Sequence, residues 1–414
     1  MTADVDLRHH HWTIDEEVAQ YLNADHPDRA EITRDPYPFF DRLRAHAPVY
    51  RTASGPVLVT SYQATQGLVR DRRWSREEMS GAPGVTPTQR VFLESLAFRD
   101  PPKHTVLRGL LAGLFTPKSL EASRADVRDI VRGLLAELRG RDHFDFIQDF
   151  SYLVPLRLIC RLVGVPLSLE SEFIAWGDAL IGSLEPLPQA AEVAARRETT
   201  ARECFAFFTE LIRERRARPG GSDIISQLLA ARDEEGRFLT DEEIIANCML
   251  LHSAGFSTTR NLISNGMYLL LRNPASYAEL RSDPGVIPSA VEEMLRCEGP
   301  ARNSLRRTAP EDTGLGGLPI QAGESVYAIL AAANRDPAAF DDPHTFNIRR
   351  AGPRQVAFGG GIHLCLGQSL ARLEATIAFA HLAEAPRLEA DVDALEWIPS
   401  FLTRGLASFP VRWA

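Results

Sequence analysis

The sequence predicts a mainly α protein with small β-sheets, folded as one domain. Helical patterning runs through residues 104–182, 189–216 and 241–272. Strand signals are brief: "PVLVT" at 56–60, "GLPIQAGESVYAIL" at 317–330 and a C-terminal stretch. No internal repeat, low-complexity segment or linker divides the chain, so residues 31–414 read as a single domain after an N-terminal extension of residues 1–30.

The elements follow in order. "DPYPFFDRLRAHAPVY" (35–50) reads as a helix with prolines at its start, and "PVLVT" as a strand because of its β-branched residues. Patterning breaks down over residues 72–98, a Pro/Gly/Ser-containing loop of a length associated with function. Asp241–Arg272 reads as one helix: Thr240 and Glu243 form a capping box, and "RNP" ends it. At about 1.5 Å per residue it would be about 48 Å long, enough to cross the molecule. Its centre, "HSAGFSTTRN" (252–261), is unusual, since glycine, serine and two threonines are poor helix formers.

Composition narrows the function. The chain has 414 residues and a net charge of −9, which argues against a general nucleic-acid binder. The N-terminus is polar, with no secretory signal, and no stretch of about 18 apolar residues suggests a membrane span. The five cysteines stand singly, as reduced thiols of a cytoplasmic protein do. His9, His10 and His11 read as a solvated tract.

One cysteine is oddly placed. "FGGGIHLCLGQSLAR" (358–372) sets Cys365 between three glycines and a fourth, before a helix. As a dinucleotide fingerprint the loop fails, because the position five after Gly359 is Leu364; no Gly-Lys-Ser/Thr makes a phosphate loop, and His363 with Cys365 lacks a second ligand pair for zinc. A thiolate ligand to haem iron accounts for the pattern. Glycines let the backbone approach a flat ring, peptide N–H groups can tune the sulfur, and the following helix start favours a thiolate.

Phe358-Gly359-x-Gly361-x-His363-x-Cys365-x-Gly367 resembles the haem-binding signature of the cytochrome P450 superfamily at every fixed position. Glu293 and Arg296 in "EMLR" resemble the family's Glu-x-x-Arg pair, with Arg349 of "FNIRR" in the place of its third member. "AANRDP" and "LGGLPIQAGE" resemble the bacterial branch, and the likeness runs from about residue 35 to the end. It implies the prism-shaped haem-thiolate fold and haem b (iron protoporphyrin IX), with Cys365 as iron ligand. His104 and Arg108 of "HTVLR", Arg307 and His363 match propionate partners. "AGFSTT" resembles the oxygen-binding motif: Ala254 and Gly255 open the helix, and Thr258 is the hydroxyl that helps to deliver protons. The acidic position of that motif holds Ser257.

The implied activity is that of a soluble bacterial-type monooxygenase. It takes electrons from a ferredoxin or flavodoxin and inserts one oxygen from O₂ into a small organic molecule, in specialised biosynthesis. The Ser257 departure leaves room for peroxide use, oxidative coupling or nitration, and a non-catalytic haem sensor is a third class. Lys103, Lys118, Arg354 and Arg372 are expected as a basic patch for an acidic ferredoxin. Residues 300–307, "PARNSLRR", are expected to pass beside the haem. There Arg302 and Asn303 would meet an acidic or polar substrate, with Phe256 as an aromatic face over the haem.

Overall fold

The structure, a computed structural model, describes residues 12–23, 26, 29–77, 85–187, 189–233 and 235–414. Thr13 and Glu16 form a reciprocal cap that starts α1 (Ile14–Leu22). Within the segment read as an extension, α1 buries Val18 and Tyr21, and Tyr21 packs on Phe39 and Phe40. α2 (Arg29–Arg34) follows, then α3 (Tyr37–His46), which has Pro36 at its cap and a proline in its first turn.

The principal sheet stitches distant parts of the chain. The hairpin β1 (Val49–Arg51) and β2 (Val57–Val59) precedes α4 (Tyr62–Arg70). Residues 72–98, expected as loop, contain α5 (Pro87–Leu93), capped by Thr86 and Gln89, and a 3₁₀ turn at Leu96–Phe98; residues 78–84 lie outside those described. The expected helical stretch 104–182 divides into α6 (Lys103–Ala112), α7 (Pro117–Leu138), the strand β3 (His143–Asp145), α8 (Leu153–Val163) and α9 (Glu170–Ser183). Then come α10 (Ala191–Ala217), α11 (Ile224–Ala230), α12 (Asp241–Arg272), α13 (Pro274–Ser282) and α14 (Ile287–Glu298). The short strands β4 (Arg307–Thr308), β5 (Thr313–Leu315), β6 (Leu318–Ile320) and β7 (Ser325–Ala328) lead to α15 (Leu330–Ala333) and α16 (Gln368–Glu384). β8 (Leu388–Glu389) and β9 (Pro410–Trp413) close the chain. β2 runs parallel to β7 with Val57 opposite Val326, and β4 lies antiparallel on the other side of β7. β3 pairs with β9, which explains the break in the helical stretch.

α12 is the axis of the molecule, with α5, α8, α9, α10, α14 and α16 packed around it. The Thr240 hydroxyl accepts from Glu243 N–H, and Glu243 returns the bond to Thr240 N–H at 3.0 Å. Buried on nearly every side, the helix needs no apolar stripe. Its hydroxyls bond back one turn: Ser253 to Met249 O, Thr258 to Ala254 O and Thr259 to Gly255 O.

On α14, Glu293 and Arg296 form a buried bidentate pair. Its third member is Arg350. Arg349, expected from sequence in that place, is exposed and pairs with Glu279 and Asp283. The reason is register: Arg349 N–H bonds to Asn347 Oδ1, Asn347 N–H bonds to Glu293, and the tight turn aims the next side chain inward. Among the described residues no helix is long and apolar enough to cross a membrane.

Candidate active site

The cysteine loop is pressed against the end of α4. Gly361 has φ +64°, and a Cβ there would lie 2.4 Å from Val69 O; one on Gly360 would lie 2.7 Å from Val69 Cγ2. Val69 therefore demands two of the glycines, by its carbonyl at Gly361 and by its side chain at Gly360. Gly359 has φ +69° with nothing within 4 Å, so its turn conformation is what requires glycine. The loop is held by Cys365 N–H donating to Phe358 O at 3.1 Å. The Arg372 guanidinium lies 4.4 Å from the Phe358 ring centroid.

Cys365 opens into a cavity of about 810 Å³, which Phe358, Gly359 and Gly367 also line. Burial pushes its thiol above the ordinary value. The N–H groups of Gly367 and Gln368 and the guanidiniums of Arg108 and Arg372 only partly reverse this. The helix start expected to favour a thiolate does not suffice alone; a bound metal ion deprotonates such a thiol outright.

Beside the loop is an excess of buried cations. His104 and Arg108 sit one turn apart on α6, and the His104 ring meets that of His363 edge-on at 4.5 Å. Arg108 donates to Leu364 O at 2.9 Å, and Arg307, on β4, to Val69 O at 3.4 Å. Arg76, which the sequence reading passed over, lines the same cavity and donates to Ala97 O at 3.1 Å. Ser75 pairs with Thr308 and fixes that arginine beside Arg307, a long-range pairing with no sequence signal. Asp100 lies among them, 3.9 Å from His363 Nε2, and Asp71 also acts on Arg307. Arg76 Nε, His104 Nε2 and Arg307 Nε are buried without a hydrogen-bond partner among the described residues. Burial drives both imidazoles to the neutral form, His104 to about 4 and His363 to about 3, and lowers Arg307 to about 10. Unpaired buried cations are costly unless anions meet them. The guanidiniums of Arg76, Arg108 and Arg307 suit the two propionates of a haem, and Cys365 would supply the soft ligand its iron takes.

Across the cavity, α12 presents Ala254, Gly255, Thr258 and Thr259 to the lining. A Cβ on Gly255 would find only Ile159 Cδ1, at 3.8 Å, so the protein itself has no steric need of glycine there. Ser257 is buried outside the lining, and its hydroxyl bonds to none of the described residues. Phe256, expected over the haem, points away from the cavity. Its ring packs on Tyr152 at 5.4 Å and His252 at 5.2 Å, over Gly177 of α9. At about 100° per residue, position 256 lies on the far side of the helix from 254 and 258.

Arg302 also departs from expectation, while Asn303 stands on the cavity wall. Residues 300–304 run beside 402–404 with a bend at Arg302 and Asn303, Arg302 N–H bonding to Leu402 O and Arg404 N–H to Pro300 O. Pro300, Ala301, Ser304 and Leu305 line the cavity, while Arg302 turns into the core and donates to Ser400 O at 3.0 Å. Asn303 borders the cavity, but its amide serves Tyr21 Oη and Phe401 O. In the expected basic patch, Lys103 pairs with Glu94 and Glu243, and Arg372 with Glu292; Lys118 and Arg354 make no ion pair among the described residues.

A family model described as cytochrome P450 matches residues 39–394. The cytochrome P450 monooxygenase PikC of Streptomyces venezuelae is 38% identical over 392 residues, 92% of each chain. P450BioI, solved with a hexadec-9Z-enoic acid ligated acyl carrier protein, superposes with a TM-score of 0.87 at 35% identity over 93% of this chain and 100% of its own. A myxobacterial cytochrome P450, CYP267B1, solved with myristic acid, gives 0.86 at 35% identity over 93% and 98%. Such likeness, continuous along nearly the whole length, implies a haem cofactor, and the chain belongs to the cytochrome P450 family as an oxidoreductase of monooxygenase type.

Proposed function

We propose that the protein inserts one oxygen atom into a largely apolar small molecule, using a haem b ligated by Cys365 and electrons from a ferredoxin or flavodoxin, in the cytoplasm and in specialised biosynthesis. The observation that carries this reading is the cavity that joins Cys365, Arg76, Arg108 and His363 to an aliphatic and aromatic wall, with His104 and Arg307 packed beside its lining. His104, Arg108, Arg307 and His363, joined by Arg76, hold the propionates. When bound, the haem supplies the two-electron activation of O₂.

The chain supplies the rest. Phe92, Leu96, Leu250, Leu305 and Leu402 line the cavity, exclude water and select apolar substrates. The acid ligands of the two solved relatives support a long apolar body. Arg302, turned away from the cavity, gives no reason to require an acid group on the substrate. Thr258, on the lining, can swing its hydroxyl from Ala254 O to hold a proton over the pocket. In the test, the reduced protein under carbon monoxide gives the red-shifted band of thiolate ligation. Reconstituted with ferredoxin and reductase, it places isotopically heavy oxygen from O₂ in the product. Absence of the band, or a product without the label, overturns the reading.

A further inference from the structure

Part of the cavity wall is only a turn. The 3₁₀ turn at Leu96–Phe98 follows α5, and Leu96, Ala97 and Phe98 all line the cavity. So short a turn has little backbone bonding of its own to hold it in place. Its cap residue, Ser95, makes no side-chain bond to the turn, so the Leu96 N–H needs a partner from elsewhere.

That partner is 151 residues away: Asn247 Oδ1 accepts from Leu96 N–H at 3.0 Å. Both residues are buried. On α12, Asn247 stands about two turns before Ala254 and three before Thr258, in the row that also carries Leu251. Those three residues line the cavity, and Asn247 does not. Its Nδ2 donates to Glu243 O at 2.8 Å. A carbonyl oxygen only accepts and a backbone N–H only donates, so the two partners fix which way the amide faces. On its other side the turn is held by Arg76, which donates to Ala97 O at 3.1 Å. A leucine at position 247 would fill nearly the same volume, but would leave the Leu96 N–H buried and unmet. The separation of the turn from α12 therefore depends on one side chain.

We propose that Asn247 is a positioning residue that sets substrate size. By holding the Leu96 N–H it fixes the width of the cavity between the 96–98 turn and the row of Leu251, Ala254 and Thr258, and so favours slender apolar molecules over bulky ones. Asn247 touches neither substrate nor cofactor and acts through the turn alone. The inference rests on the haem-thiolate monooxygenase reading and deepens it, since it concerns which molecules that cavity admits.

The test reads binding and exchange rather than turnover, on wild type, Asn247→Leu and Asn247→Asp. Imidazole and the much bulkier clotrimazole are titrated against each holoenzyme and followed by the shift of the haem spectrum. Asn247→Leu should bind imidazole as wild type does and clotrimazole about tenfold more tightly, the scale of one lost hydrogen bond. Asn247→Asp, which keeps an acceptor oxygen at the same reach, should retain the wild-type ratio. Amide hydrogen exchange of the segment 92–98 should quicken about tenfold in Asn247→Leu and stay near wild type in Asn247→Asp. A residue with a merely structural role would lower the melting temperature and leave the ratio of the two affinities unmoved. That result overturns the proposal, as does a ratio that moves the other way or an exchange rate unchanged in Asn247→Leu. A wild type with neither an azole shift nor the thiolate band fails the parent reading instead. Should Asn247→Leu not take up haem, Asn247→Ser, too short to reach Leu96, is read in its place by the same two measurements.

Discussion

Arg350 donates through Nε to both oxygens of Glu293, at 3.0 and 3.1 Å, and completes the buried pair that Arg296 makes with the same carboxylate. Removing one cation leaves part of a buried charge exposed to an apolar surround. Arg350→Ala should lose about 3 kcal/mol of stability, the lower end for a broken buried pair because Arg296 remains. Arg349→Ala, on an exposed pair, should leave the denaturation midpoint unchanged. Equal losses would return Arg349 to the network.

The same cluster sets an acid limit. Burial alone would raise the Glu293 carboxyl, but the bonds from Arg296, Asn347 N–H and Arg350 outweigh it and hold the group below its ordinary 4.5. A depressed native value gives stability that is present above 4.5 and is lost as pH falls through the native value. Glu293→Gln should start less stable and lose less on acidification below that point, as thermal melts across the pH range would show.

Gly177 faces Phe256 at the crossing of α9 and α12, where an added Cβ would lie 2.3 Å from the ring carbons. The ring cannot retreat, because Tyr152 and His252 hold it. Gly177→Ala should cost about 1–3 kcal/mol, as overpacking does. Since Phe256 is outside the cavity, Phe256→Leu should change stability and leave the haem-binding spectrum of an azole inhibitor unaltered. An altered spectrum would place the ring at the haem.

Arg302 is buried with Nε and Nη2 unpartnered, and only Nη1 bonded. Exchanging it for an apolar side chain of similar length removes two unsatisfied donors along with one good bond. Arg302→Met should therefore change stability by less than about 1 kcal/mol. It should also bind fatty acids and their methyl esters in the same ratio as wild type. A selective loss of acid binding would restore this arginine to the pocket.

Local signals were legible in the sequence, and side-chain direction was only partly so. Thr240 and Glu243 cap α12, and "RNP" ends it, because capping and proline are local chemistry that tertiary context did not override. The glycines around Cys365 marked a special loop, although two of them answer to Val69, nearly three hundred residues away in sequence. The misreadings share a cause. Phe256 is placed by its nearness to Thr258 in sequence, Arg302 by a stretch expected to pass beside the haem, and Arg349 by its place in "FNIRR". Helical rotation, a bend in the chain and turn register put neighbouring residues on opposite sides. Arg76 gave no local signal, since its position depends on Ser75 pairing with Thr308.

The cavity walls are gathered from Val69 to Thr403, and the strand that carries Val57 completes its pairing only with Val326. A ribosome therefore has to release nearly the whole chain before any pocket exists. The cysteine comes late and the last lining residue later still. A chain that stops before Leu402 and Thr403 would carry Cys365 but lack part of the cavity wall.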